Sequence, residues 1–146
     1  MPERLPPVLR SIPGRLDHYA RQGAPRAGLC ASAVREALGA PWQGFGSAAE
    51  VFQAVPDDSV RRFNAPRGAL VYWVGGSRGF GHVAFAMGDH LTLSVDVVPR
   101  RPGVAGVVPF SWFAEHWPGL EYVGWSWYWG RLDTRPAVLL PPPADK

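Results

Sequence analysis

The chain is poor in cysteine, in long apolar runs and in clustered charge. Cys30 is the only cysteine among 146 residues, which excludes an intramolecular disulfide framework and any multi-cysteine zinc site. No apolar run approaches the ~20 residues needed to span a bilayer, so no membrane span is expected. Met1-Pro2-Glu3-Arg4-Leu5-Pro6-Pro7 is broken by proline and lacks the apolar core of a signal peptide, which makes synthesis in the cytoplasm the expectation. The formal net charge is +3, and the only arginine doublets are Arg61-Arg62 and Arg100-Arg101. Without a basic stripe interleaved with aromatics, nucleic acid is not an expected partner.

What is present suffices for one domain, since 47% of the residues are hydrophobic. Residues 1–13 read as an extended proline-rich segment, 14–132 as a single folded domain, and 133–146 as a proline-rich tail. A helix is predicted from Pro13 to Arg21. A second is marked by Cys30, Ala33, Val34, Ala37 and Leu38 at helical spacing, with Gly39 and Pro41 ending it. A third starts at the capping box Ser47-Ala48-Ala49-Glu50 and runs to Ala54. After Pro66 the signals are strands: Ala69–Val74, His82–Met87, Leu91–Val98, Val104–Val108 and Glu121–Trp129, with a short helix over Ser111–His116. Helices followed by an antiparallel sheet give an α+β fold.

Cys30 opens a predicted helix, where unpaired amides and the positive end of the dipole favour a thiolate. Such a position predicts a thiol pKa lowered into the range of roughly 3.5–7.5. Downstream, Gly88-Asp89-His90 joins two strands as a tight hairpin. With a three-residue connection the paired positions place His82 opposite Asp96, Ala84 opposite Ser94 and Ala86 opposite Thr92. Opposed Cβ atoms stand about 4.5–5.5 Å apart, within reach of an imidazole–carboxylate hydrogen bond. The register is supported by segregation of side chains. Val83, Phe85, Met87, Leu91, Leu93, Val95 and Val97 share one face, and His82, Ala84, Ala86, Thr92, Ser94 and Asp96 share the other.

Taken singly, a lone cysteine on an apolar stripe reads as a core residue, a strand histidine as structural, and Asp96 as a strand-end residue. Taken together, Cys30, His82 and Asp96 read as nucleophile, base and orienter. A metal site from His82, Asp96 and His90 would need the hairpin tip folded back, and no metal or organic cofactor is expected. His18 and His116 have no evident catalytic partners. The Gly75–Gly81 loop lacks the Lys-Ser/Thr of a phosphate-binding loop and reads as a mobile rim beside His82. Trp125, Trp127 and Trp129 alternate along the last strand, as core or as a sugar-stacking platform.

Three segments carry a resemblance: Leu29-Cys30-Ala31-Ser32 with the helix that follows, Pro66-Arg67-Gly68-Ala69-Leu70-Val71-Tyr72-Trp73, and Gly81-His82-Val83-Ala84-Phe85-Ala86-Met87-Gly88 with Ser94-Val95-Asp96. Over residues 28–130 the chain resembles the papain-like cell-wall amidopeptidases of the NlpC and CHAP group, including phage lysins and amidase toxins delivered between bacteria. The resemblance implies a papain-like fold and cleavage of amide bonds in the peptide stems of peptidoglycan, by a phage lysin or antibacterial effector. It further implies action at the cell wall after release or delivery, with an immunity or delivery partner possible. Many members carry histidine, glutamate or asparagine as third residue, a role Asp96 matches. By the same resemblance Tyr19 would assist the oxyanion, against the alternative of core packing. Two other functions fit the residues: a thiol acyltransferase or deamidase on another amide, and a non-catalytic wall-binding or phage structural module.

Overall fold

Helical spacing in the first half and strand alternation in the second set the order of elements. The computed structural model describes residues 9–136. Helices α1 (Ile12–Gln22), α2 (Cys30–Leu38) and α3 (Ala48–Ala54) precede strands β1 (Leu70–Gly75), β2 (His82–Gly88), β3 (Leu91–Val95) and β4 (Ala105–Pro109). Helix α4 (Ser111–His116) and strands β5 (Leu120–Ser126), β6 (Tyr128–Trp129) and β7 (Leu132–Asp133) follow. The fold is α+β, with an antiparallel sheet in the order β4-β3-β2-β1-β5 and a separate β6-β7 pair. Among the described residues no helix is long and apolar enough to cross a membrane.

The helix boundaries follow local chemistry. Ser11 caps α1 by accepting from Gly14 N, and proline sits in the first turn, where no amide is lost. Ser47 caps α3 through Glu50 N. Gly39 ends α2 in the left-handed conformation and returns its amide to Arg35 and Glu36 carbonyls. Of the predicted terminal segments, residues 1–8 and 137–146 lie outside the described residues. Their inner ends belong to the fold: α1 begins at Ile12, and Leu132–Asp133 pairs with β6.

The sheet is covered on both faces. Leu70, Tyr72, Val83, Phe85, Leu93 and Val95 point to the face under α1, α2 and α3 and meet Leu16, Tyr19, Val34 and Val51. Ala69, Val71, Trp73, Ala84 and Ala86 point to the other face, where Phe113 of α4 is buried. The small residues on that side leave room for the indole of Trp73 and the ring of Phe113, whose centroids stand 4.3 Å apart. Burial on both faces explains why β1 reads as an unbroken apolar run rather than an alternating one. Val97, assigned to the first face from the alternation, lies on the second, because β3 ends at Val95 and the chain turns at Asp96 (φ 67°).

Arg15 fastens α1 to the end of the domain. Its buried guanidinium donates to Arg10 O at 2.9 Å, Gly68 O at 3.4 Å and Thr134 O at 2.7 Å. Burial lowers its pKa to about 10, and no carboxylate pairs with it among the described residues. Charge-assisted hydrogen bonds to carbonyls stabilise by about 1.5–3 kcal/mol, and removing the donor strands buried acceptors. Arg15→Leu is therefore expected to lower unfolding free energy by about 2–3 kcal/mol, read from urea midpoints at constant m. A loss below about 0.5 kcal/mol would contradict the clamp.

Candidate active site

Helix α2 begins without a side-chain cap, because Leu29 stands at the N-cap position. Its first amides are thus free, and Cys30 is its first residue. The N–H groups of Ala31 and Cys30 adjoin the sulfur and favour the thiolate, as does that of Val83 from β2. Burial outweighs all three, and the Asp96 carboxylate adds repulsion, so the thiol pKa rises from 9.0 to about 11. The expected lowering at the helix terminus is overturned. A sulfur withdrawn from water loses more hydration on ionising than these donors return.

Val83 reaches the sulfur because the β2–β3 ladder stops short. Phe85 pairs with Leu93 and Ala86 with Thr92, in the predicted register, before a bulge brings Gly88 opposite Leu91. The turn itself is the two residues Asp89 and His90, both at positive φ (53° and 63°), rather than the three expected. Toward its other end the ladder does not continue to Ala84–Ser94 or His82–Asp96. Ala86 exchanges its main-chain hydrogen bonds with β1 through Ala69 and Gly68. By alternation the Val83 amide faces the β3 side, where strand pairing has ended. The N-terminus of α2 fills that opening, and Cys30 lies beside the backbone of the residue that follows His82.

Asp96 does not bond the imidazole. In the left-handed region it ends β3 three residues earlier than the sequence suggests, and its carboxylate turns toward the loops. Oδ2 accepts from Gly28 N at 3.0 Å and Oδ1 from Gly103 N at 2.7 Å. Gly103 is required there: at φ 80° a Cβ would stand 2.2 Å from Ala24 O. The opposed pairing that was to join His82 to Asp96 fails because the ladder has ended before either residue.

His82 is held by other groups. Its ring is 4% exposed and lies among Trp73, Phe113 and Trp117, with centroids 5.6, 5.2 and 4.9 Å away. Nε2 is 2.8 Å from Ser94 Oγ, and Nδ1 makes no hydrogen bond among the described residues. Burial in this aromatic box pushes the imidazole pKa down to about 3. Gly81 permits the entry into β2: at φ 68° any Cβ would strike Trp73 O at 2.5 Å. The sequence reading missed Ser94. Its one signal was position, since the register sets Ser94 opposite Ala84, diagonally across from His82.

Cys30, His82 and Asp96 nevertheless line one cavity of about 360 Å³. Trp117, Leu120 and Trp129 form apolar wall, Arg35 and Arg78 bring positive charge, and the Gly75–Gly81 loop contributes rim. Trp42 and Phe80 at the mouth are 66% and 58% exposed. Tyr19 takes the packing role: it is fully buried, edge-on to Phe85, and accepts from Val95 N. The tryptophan row is split, because β5 ends at Ser126. Trp129 joins the cavity wall, while Trp125 and Trp127 line a separate hollow with Arg61 and Arg135. His90 lines another hollow beside Asp89, and His116 stacks on Trp112, so neither joins His82.

Comparison of the chain with protein-family models, curated proteins and solved structures returned no match.

The buried neutral imidazole sets a stability profile. Its folded pKa of about 3 lies below the ordinary 6.5, so the unfolded chain binds the extra proton first as pH falls. Stability contributed by neutral His82 is present above pH 6.5 and lost as pH drops toward 3, at up to about 1.4 kcal/mol per unit. Urea midpoints at pH 7 and pH 4.5 are expected to fall with acid more steeply in the native chain than in His82→Phe. Equal slopes in the two proteins would show that His82 is not held neutral.

Proposed function

We propose that the chain is a cysteine-dependent amidase or endopeptidase acting on peptidoglycan peptide stems, with Cys30 as nucleophile and His82 as general base and acid. The observation that carries this reading is the shared cavity: a thiol at an uncapped helix start and an imidazole with one nitrogen unpartnered open onto the same space. Elements far apart in sequence supply its walls, and the amides at the start of α2 adjoin the sulfur.

The chemistry begins from a neutral pair rather than an ion pair. As Cys30 Sγ bonds to the amide carbon, its proton passes to His82 Nδ1, and the carbonyl oxygen takes negative charge. In this reading the N–H groups of Cys30 and Ala31, which adjoin the sulfur, receive that charge. The imidazolium then gives its proton to the departing amine, the C–N bond breaks, and a thioester remains. Water attacks the thioester, its proton going to Nδ1 and then to the sulfur, and carboxylic acid is released. Asp96 contributes by seating the loop before the nucleophile.

The substrate assignment is supported by the Gly81-His82-Val83-Ala84 resemblance and by the character of the cavity. Arg35 and Arg78 suit the carboxylates of peptide stems, and the exposed Trp42 and Phe80 offer faces to sugar or alkyl groups. The same reading places its action at the cell wall, after release or delivery.

Purified protein is expected to release muropeptides from sacculi, identified by mass spectrometry. Cys30→Ala and His82→Ala should each lower the rate by about 10³-fold or more, with thermal unfolding of Cys30→Ala close to that of the parent. Undiminished release by either variant would end the dyad.

A further inference from the structure

We propose that Ser94 is the positioning residue that fixes the tautomer and direction of the His82 ring, and that Tyr19 secures Ser94 in turn. The proposal rests on the dyad reading above and names a group that the sequence pattern had assigned to Asp96.

Hydrogen bookkeeping carries it. The Ser94 hydroxyl has one hydrogen, and Oγ stands 2.8 Å from both Val95 O and His82 Nε2; that hydrogen is assigned to Val95 O, which can only accept. In the 2.8 Å contact with His82, Ser94 Oγ must then accept, so Nε2 carries the ring proton. Neutral imidazole holds only one N–H, which leaves the lone pair on Nδ1. Nδ1 is also the nitrogen without a protein partner, and His82 lines the cavity. The arrangement therefore presents a base at the nitrogen free to take the thiol proton.

Ser94 cannot swing away. It is fully buried, and the main chain beside it is pinned: Val95 N donates to Tyr19 Oη at 2.8 Å. Tyr19 is itself wedged edge-on against Phe85, with ring centroids 5.2 Å apart. A line of contacts thus runs from α1 through β3 to the imidazole. Each link is neutral, so an imidazolium formed in the reaction has no carboxylate bonded to it. Neutrality suits a base that returns its proton promptly. It also separates two duties: Ser94 orients the base, while Asp96 holds Gly28 and the approach to Cys30.

Nitrogen-15 NMR of His82 tests the assignment directly. In the native chain near pH 7 the ring is expected as a single Nε2–H tautomer. Ser94→Ala should yield a mixture of tautomers, Ser94→Thr should restore the single form, and Asp96→Asn should leave it unchanged. Tyr19→Phe, which keeps the ring and removes the hydroxyl, should loosen the tautomer in the same direction as Ser94→Ala.

Kinetics add a second readout. Ser94→Ala is expected to lower kcat for muropeptide release by about 10²-fold with KM little changed, and Ser94→Thr to recover most of the loss. Chloroacetamide alkylation of Cys30, which needs no peptidoglycan, should slow near pH 7 in Ser94→Ala and recover in Ser94→Thr. A single tautomer and a native alkylation rate in Ser94→Ala would overturn the proposal, as would loss of the Nε2–H form in Asp96→Asn alone. If peptidoglycan is untouched while tautomer and alkylation respond as stated, the substrate reading fails and the positioning role of Ser94 stands. If Ser94→Ala fails to fold, Tyr19→Phe and Ser94→Thr decide: tautomers unchanged in Tyr19→Phe, or mixed in Ser94→Thr, would reject it.

Discussion

The Asp96 carboxylate is the constraint on which the site depends. One side chain accepts amides from Gly28, just ahead of α2, and from Gly103, just ahead of β4. Its own backbone, at positive φ, brings β3 to an end. Three segments separated by up to 75 residues are thereby brought to one point. The loop carrying Gly28 is anchored at its other end by Ala24 N donating to Gly103 O, and Asp96 fixes the end that leads into α2. Hydrogen bonds from main-chain amides to a carboxylate are among the stronger polar contacts in proteins. Here they set where a helix begins relative to a sheet, and so where the sulfur lies.

Burial sets the electrostatics of the cavity, and Asp96 adds to it at the thiol. A carboxylate near the thiol disfavours thiolate, and enclosure disfavours it more. The aromatic box disfavours imidazolium in the same way. Each group taken alone is pushed toward its neutral form, and the directions agree: thiol and imidazole rest uncharged. A preformed thiolate–imidazolium pair would need a polar setting that Trp73, Phe113 and Trp117 do not supply. Under the proposed dyad the chemistry would be closer to that of a hydroxyl nucleophile, whose proton leaves only as the new bond forms. In that reading substrate would carry part of the burden, because a polar amide entering the cavity changes the dielectric surroundings of both groups.

Much of this was legible in the sequence, and the failures share one cause. Helix α2 spans Cys30–Leu38 as its apolar period indicated, and α4 spans Ser111–His116 as expected. The hairpin register held at Phe85–Leu93 and Ala86–Thr92 because a one-residue slip would have turned Val83 and Phe85 away from the helices. What could not be read was where pairing stops. Extending the ladder by arithmetic carried His82 to Asp96, but a strand continues only while its φ angles allow, and Asp96 departs from them. The same extension joins Trp129 to Trp125 in one strand, although β5 ends at Ser126 and a separate strand starts at Tyr128. Local patterns identify strands; their ends depend on side-chain acceptors such as Asp96, whose partners lie far along the chain.

The end of pairing is also what makes a site possible. Where β2 and β3 remain paired, the faces are sealed by Phe85 on one side and Ala86 on the other. Past Phe85 the Val83 amide is released, the helix terminus enters, and groups from opposite faces of the sheet line one cavity. Cys30 belongs to the core beneath the helices, and His82 stands among the aromatics of the α4 side. A continuous sheet would have kept them apart. Ser94 bridges the opening from β3, and its short hydroxyl spans to the ring where the displaced carboxylate does not. A thiol and an imidazole drawn from two cores can thus share one cavity because the pairing of β2 with β3 ends before it reaches them.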